Sequence, residues 1–171
     1  MKVKNRDELY KDAAVAYGGA MERLARAYEA DQDRQQDLLQ EIHLEIWRSL
    51  EGYESRCALR TWVYRVAHNT AAKYVTRRFR TKPEILVSLE EIATLSDGPE
   101  RNSEAGNRAV AEQLMEFIHQ LKPPDRQLML LYLEGIDTAS IGEIIGMSAG
   151  NVRTKIHRLK GILAGRFHAG E

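Results

Sequence analysis

Apolar residues recur at three- and four-residue spacing through most of the chain, and no alternating run of β-branched residues is long enough to make a strand. Met21, Leu24, Ala25 and Tyr28 share one face of an early helix. Leu38, Leu39, Ile42, Ile46 and Leu50 line a second that starts near Asp33, and Trp62, Val63, Val66, Ala67, Thr70 and Tyr74 line a third. Three such amphipathic helices can close one core. Near the other end, Ile141, Ile144 and Ile145 mark a helix too short to be stable alone, so it must pack on something. Gly146 then ends it at little steric cost, and Ser148 offers a side-chain oxygen to cap the next helix. That next helix buries Val152, Ile156, Leu159 and Leu163. The expected fold is all-α.

Breakers divide this pattern. Pro83, the run Ser96-Asp97-Gly98-Pro99 and the polar Arg101-Asn102-Ser103 supply linker chemistry, while Ile85, Leu86, Val87, Leu89, Ile92 and Leu95 suggest that part of the linker docks on a neighbour. The reading is two small helical domains, 1–82 and 108–171, joined by an acidic connector over 83–107.

Charge sharpens this division. The 171 residues carry formal net charge +0, which by itself argues against a nucleic-acid binder. The distribution argues the other way. Lys73, Arg77, Arg78, Arg80 and Lys82 crowd one stretch without an acid, and the tail from Arg153 to Arg166 is basic again. Glu84, Glu90, Glu91, Asp97, Glu100 and Glu104 lie between them; solubility explains such a run most simply, and restraint of the basic modules from DNA is the alternative.

In the last helix, a 3.6-residue turn leaves Gly150, Asn151, Thr154, His157 and Arg158 outward, with Arg153 and Lys155 on the flanks. Amides and guanidinium groups on one helix face fit the major groove, where they make bidentate bonds to base edges while lysine neutralises phosphate. A basic stripe alone is usually just solvated, but a short helix and tight turn in front of it make a helix-turn-helix. Between the second and third helices, Tyr53, Trp62 and Tyr64 alternate with Arg56, Arg60 and Arg65, which suits stacking and phosphate contact on single-stranded nucleic acid. Trp62 taken by itself reads as core.

Catalytic and metal chemistry finds little support. His43, His68, His119, His157 and His168 are scattered, without metalloprotease spacing, a phosphate-cradling glycine loop or a nucleophile signature. Cys57 is the single cysteine, which excludes an internal disulfide and a multi-cysteine zinc site and reads as a structural thiol. No cofactor or metal is expected. Neither a membrane span nor the apolar core of a signal peptide is visible, so the expected location is cytoplasmic.

The segment from Asp37 to Trp47, with Leu59 to Asn69, resembles the second conserved region of bacterial extracytoplasmic-function sigma factors. Leu121 to Gln127, Leu133-Glu134-Gly135 and the helix-turn-helix resemble their fourth region. The likeness runs from about Tyr17 to Gly165. It implies a subunit that binds core RNA polymerase, at the beta-prime clamp and the beta flap, and directs promoter-specific initiation. Asp37, Gln40, Glu41 and Leu44 would contact polymerase. Tyr53, Glu54, Ser55 and Arg56, with Arg60, Trp62, Arg65 and Asn69, would capture a flipped base of the −10 element and aid melting. Ser148, Asn151, Arg153, Thr154, Lys155, His157 and Arg158 would read the −35 element. An anti-sigma protein is an implied partner.

The chain departs from the family pattern at Thr138-Ala139-Ser140, where an aromatic and two acids are usual, and at Glu54-Ser55-Arg56-Cys57, where many relatives carry an arginine, a glycine and an acid. The first departure bears on helix capping or a polymerase contact, the second on −10 preference. The alternative function is a free-standing helix-turn-helix regulator, which leaves Gln40, Glu41 and the Trp62 segment unexplained.

Overall fold

The computed structural model describes residues 4–81, 85–94 and 106–167. It divides into two compact units, Met1–Pro83 and Glu84–Glu171. Among the described residues every regular element is helical apart from one isolated backbone bridge. No helix there is long and apolar enough to cross a membrane.

The first unit packs α1 (Arg6–Tyr28), α2 (Gln32–Ser49) and α3 (Leu59–Thr81) against one another. Helix α1 starts at a reciprocal cap: Asn5 Oδ1 accepts from Glu8 N, and Asn5 N donates to Glu8 Oε2, each at 2.9 Å. Asp31 caps α2 by accepting from Arg34 N at 3.0 Å. Met21, Leu24, Tyr28, Leu38, Ile42, Ile46 and Leu50 are buried, as their spacing predicts.

Helix α3 turns further than its apolar stripe suggests. Tyr64, His68, Ala71 and Val75 are buried with Val63, Ala67 and Thr70, whereas Trp62, Val66 and Tyr74 are half-buried. The cause is that α3 packs on both α1 and α2, so its covered face is wider than one stripe. Tyr64 therefore lies in the core, edge-on to Tyr17 and stacked on His68, and is no platform for a base.

The buried carboxylate of this unit is held by partners. Glu29, between α1 and α2, accepts from Asp31 N and Tyr74 Oη at 2.9 Å and from Arg78 Nη1 at 2.5 Å. Burial disfavours its carboxylate, but these three donors outweigh burial and lower its pKa. Burial, together with the bond to Glu29, pushes the Tyr74 hydroxyl up to about 12.

The second unit holds α4 (Leu89–Thr94), α5 (Asn107–Gln120), α6 (Pro123–Leu133), α7 (Thr138–Ile145) and α8 (Ala149–Phe167). Its core collects Leu89, Phe117, Ile118, Leu121, Leu128, Met129, Leu131, Ile141, Ile144, Val152 and Leu159. The segment 85–94, read from sequence as part of a connector, packs here. Val87 N donates to Gln120 O and Lys122 N donates to Val87 O, both at 2.9 Å, and α4 lies on α8. Leu95, Ser96 to Pro99 and Arg101 to Ser103, also assigned to the connector, fall outside the described residues.

Candidate nucleic-acid interface

The turn between α7 and α8 positions the face that sequence singled out. Gly146 takes φ +72°, and its N–H donates to Gly142 O. Met147 N donates to the same carbonyl at 3.0 Å, which closes a Schellman turn. Gly142 has a steric reason to be glycine: an added Cβ would stand 2.6 Å from the Met147 carbonyl oxygen. Across the turn, Ser148 Oγ accepts from Asn151 N at 3.2 Å and caps α8. The unusual Thr138-Ala139-Ser140 start of α7 is nonetheless capped, because Asp137 accepts from Ser140 N at 2.9 Å and from Ser140 Oγ at 2.6 Å.

Within α8, Asn151, Arg153, Thr154 and His157 are exposed together with Ser148 and Gly150. Ser148 is occupied as the cap, and the Thr154 hydroxyl donates to Gly150 O at 3.1 Å. Lys155 and Arg158 differ from the rest of the predicted set. Lys155 Nζ donates to Asp125 Oδ1 at 2.7 Å and to Glu90 Oε1 at 2.9 Å, and its side chain is only 19% exposed. Arg158 Nη1 donates to that same Glu90 oxygen at 2.8 Å. Burial works against the Lys155 ammonium, but the two acids prevail and raise its pKa. Conversely, the bond from Lys155 leads the causes that lower the pKa of Glu90. Asp125 and Glu90 were not foreseen, since they stand 30 and 65 residues from Lys155 in sequence.

In the first unit, the loop between the 3-10 turn Leu50–Gly52 and α3 is built around Tyr53. The Tyr53 hydroxyl donates to Cys57 O at 2.7 Å, and its ring lies 5.4 Å from that of Trp62. Trp62 Nε1 donates to Ser49 Oγ at 3.0 Å. Both aromatics are half-buried, and their polar atoms are bonded within the loop and to the end of α2, so they frame the loop rather than present open stacking faces. Glu54, Ser55 and Arg56 form the exposed tip, with Glu54 and Arg56 paired at 2.6 Å. Arg60 and Arg65 are half-buried and Asn69 is exposed.

Trp62, Arg65 and Asn69 continue along α3 to Lys73, Thr76 and Arg80 at three- and four-residue steps, a single outward ridge. Lys73, Thr76 and Arg80 are exposed and extend the candidate surface beyond the predicted residues. Arg77 and Arg78 of the same basic stretch are turned to Glu41 and Glu29 instead. On α2, Asp37, Gln40 and Leu44 are exposed along one stripe, and Glu41 is half-buried beside them, accepting from Arg77 Nη2 at 2.7 Å. Among the described residues no cluster of three or more His, Cys, Asp or Glu is arranged to hold a metal.

Comparison with known proteins matches both units. Residues 14–81 fit the family described as Sigma-70 region 2, and residues 111–162 fit Sigma-70, region 4, together well over half the chain. The chain is 29% identical over 139 residues to the ECF RNA polymerase sigma-E factor of Haemophilus influenzae, covering 77% of this chain and 73% of that protein. It is 29% identical over 137 residues to the RNA polymerase sigma-H factor of Pseudomonas aeruginosa, covering 76% and 71%. Among solved structures, the sigma factor RpoE with the anti-sigma factor NepR from Bartonella quintana aligns with a TM-score of 0.66 at 15% identity, over 91% of this chain and 94% of that one. CnrH with the cytosolic domain of CnrY aligns with a TM-score of 0.61 at 14% identity, over 91% and 85%. The N-terminal helices are thus a sigma region rather than the sensing domain of a free-standing regulator. The chain belongs to the sigma-70 family, as an RNA polymerase sigma factor of the extracytoplasmic-function type that serves transcription initiation.

Proposed function

We propose that the two units divide promoter recognition between them. The second unit reads the −35 element through Asn151, Arg153, Thr154 and His157, placed in the major groove by the capped start of α8. Lys155 and Arg158 serve the phosphate backbone, since their positive ends already hold an oxyanion. In the first unit the tip Glu54-Ser55-Arg56 meets a flipped −10 base, with Tyr53 and Trp62 as its frame. The ridge from Arg65 through Asn69 and Lys73 to Arg80 follows the adjoining strand. Asp37, Gln40, Glu41 and Leu44 dock on the beta-prime clamp of core polymerase, the beta flap engages the second unit, and the factor acts in the cytoplasm where polymerase works. An anti-sigma protein is the expected antagonist, in keeping with the anti-sigma factor NepR bound to the aligned RpoE.

The observation that carries this reading is the exposed Asn151-Arg153-Thr154-His157 face behind a Schellman-closed turn. The test is initiation by core RNA polymerase on a promoter library with and without the protein. Specific start sites that depend on the protein are expected; failure to bind core enzyme refutes the reading. Arg153→Ala should lower −35 discrimination by about 1 to 3 kcal/mol if Arg153 contacts a base. Unchanged promoter preference would remove Arg153 from the −35 face.

A further inference from the structure

Helix α4 belongs to the chemistry of α8, although it precedes α8 by more than fifty residues. A single oxygen of Glu90 accepts from Lys155 Nζ at 2.9 Å and from Arg158 Nη1 at 2.8 Å. Asp125 anchors this arrangement from α6: Oδ1 accepts from Lys155 at 2.7 Å and Oδ2 accepts from Leu89 N at 3.0 Å, at the start of α4. The side chain of Asp125 is 5% exposed, that of Glu90 46%. Asp125 is therefore a fixed support and Glu90 a group that can swing away. One oxyanion held by two cations a helical turn apart is also how a DNA phosphate meets such a helix.

We propose that Glu90 is a built-in stand-in for a DNA phosphate, an intramolecular competitor that duplex DNA must displace before Lys155 and Arg158 close on its backbone. The inference rests on α8 being the DNA-contacting helix. Asn151, Arg153, Thr154 and His157 stay exposed throughout, so Glu90 opposes sequence-independent binding and leaves base reading intact. Stray binding of the free factor is suppressed, while a correct −35 site, which adds base contacts, still overcomes the competitor.

The test compares Glu90→Gln with Glu91→Gln in the full chain. Glu91 undergoes the same charge change one position along, but it caps α4 through Ser88 N at 2.6 Å and pairs with Lys122 at 3.0 Å, neither of which belongs to α8. Affinity for a short random-sequence duplex is measured across a salt series, and circular dichroism verifies that both variants keep their helices. Glu90→Gln should bind about 3- to 10-fold tighter at low salt, as expected for the loss of exposed ion pairs. Its advantage should shrink as salt rises, with a steeper salt dependence, because in the parent salt also screens the internal ion pairs that DNA must break. Glu91→Gln should stay within about twofold of the parent.

The proposal fails if Glu90→Gln binds like the parent, if it binds more weakly, or if Glu91→Gln gains as much. The double variant Arg153→Ala/Lys155→Ala separates the two layers. If it leaves duplex binding unchanged, α8 is not the DNA-contacting helix and the broader reading falls. If it weakens binding while Glu90→Gln has no effect, only the competitor is lost.

Discussion

Ser55 stands at φ +56° without being glycine, at the tip of the loop assigned to the −10 element. A side chain in the left-handed region costs about 1 to 2 kcal/mol, part of which glycine gives back through its greater freedom when unfolded. Ser55→Gly should therefore raise stability by up to about 1 kcal/mol in a urea melt. No change would mean that the loop relaxes at no cost. His68 tests a different effect. It is wholly buried, with Tyr28 Oη 3.4 Å from its Nδ1, and burial lowers its pKa to about 3. Between the ordinary histidine pKa and that value the unfolded chain binds a proton the folded chain refuses. Stability from neutral His68 is thus full above about pH 6.5 and falls with acidification, by up to about 1.4 kcal/mol per pH unit. His68→Asn should flatten that slope between about pH 6 and pH 5, above the acid range in which Glu29 also loses its stabilising charge. In the sequence His68 was one of several scattered histidines, because nothing local shows that Tyr28 and Tyr64 enclose it.

Helices α7 and α8 show what local chemistry can specify. Ile141 and Ile144 are buried, Gly146 is left-handed and Ser148 caps α8, all as spacing and residue type predict. Gly142 was not recognised, because a glycine inside a helical pattern reveals its purpose only when the Met147 carbonyl is seen beside it. Gly142→Ala should cost more than about 2 kcal/mol, since backbone rather than a flexible side chain must move. Gly150→Ala, with open space around it, should be neutral or gain about 0.5 kcal/mol from helix propensity. Thermal melts of the two variants distinguish a packing glycine from a tolerated one. In α3 the apolar stripe located the helix but not the breadth of its buried face, because two neighbouring helices cover it and the stripe records only the strongest side.

A net charge of +0 fits the proposal that polymerase brings the factor to DNA, and intramolecular ion pairs in both units lower the free positive charge further. Because Arg56 and Arg153 belong to separate compact units, their alanine substitutions should act additively on promoter use, within about 0.5 kcal/mol. Initiation rates of the single and double variants measure this, and strong coupling would mean that the two elements are not read independently. Helical periods, the Gly146 stop, the Ser148 cap and the two-part organisation were legible in the sequence, because each depends on residues within one or two turns of one another. Burial of Tyr64 and His68, the Tyr53 and Trp62 frame, and the sequestering of Lys155 and Arg158 were decided by tertiary structure alone. Tyr53 and Trp62 meet through the folding of the loop between them, and the other groups come from distant parts of the chain, meetings set by how helices pack, which no local pattern encodes.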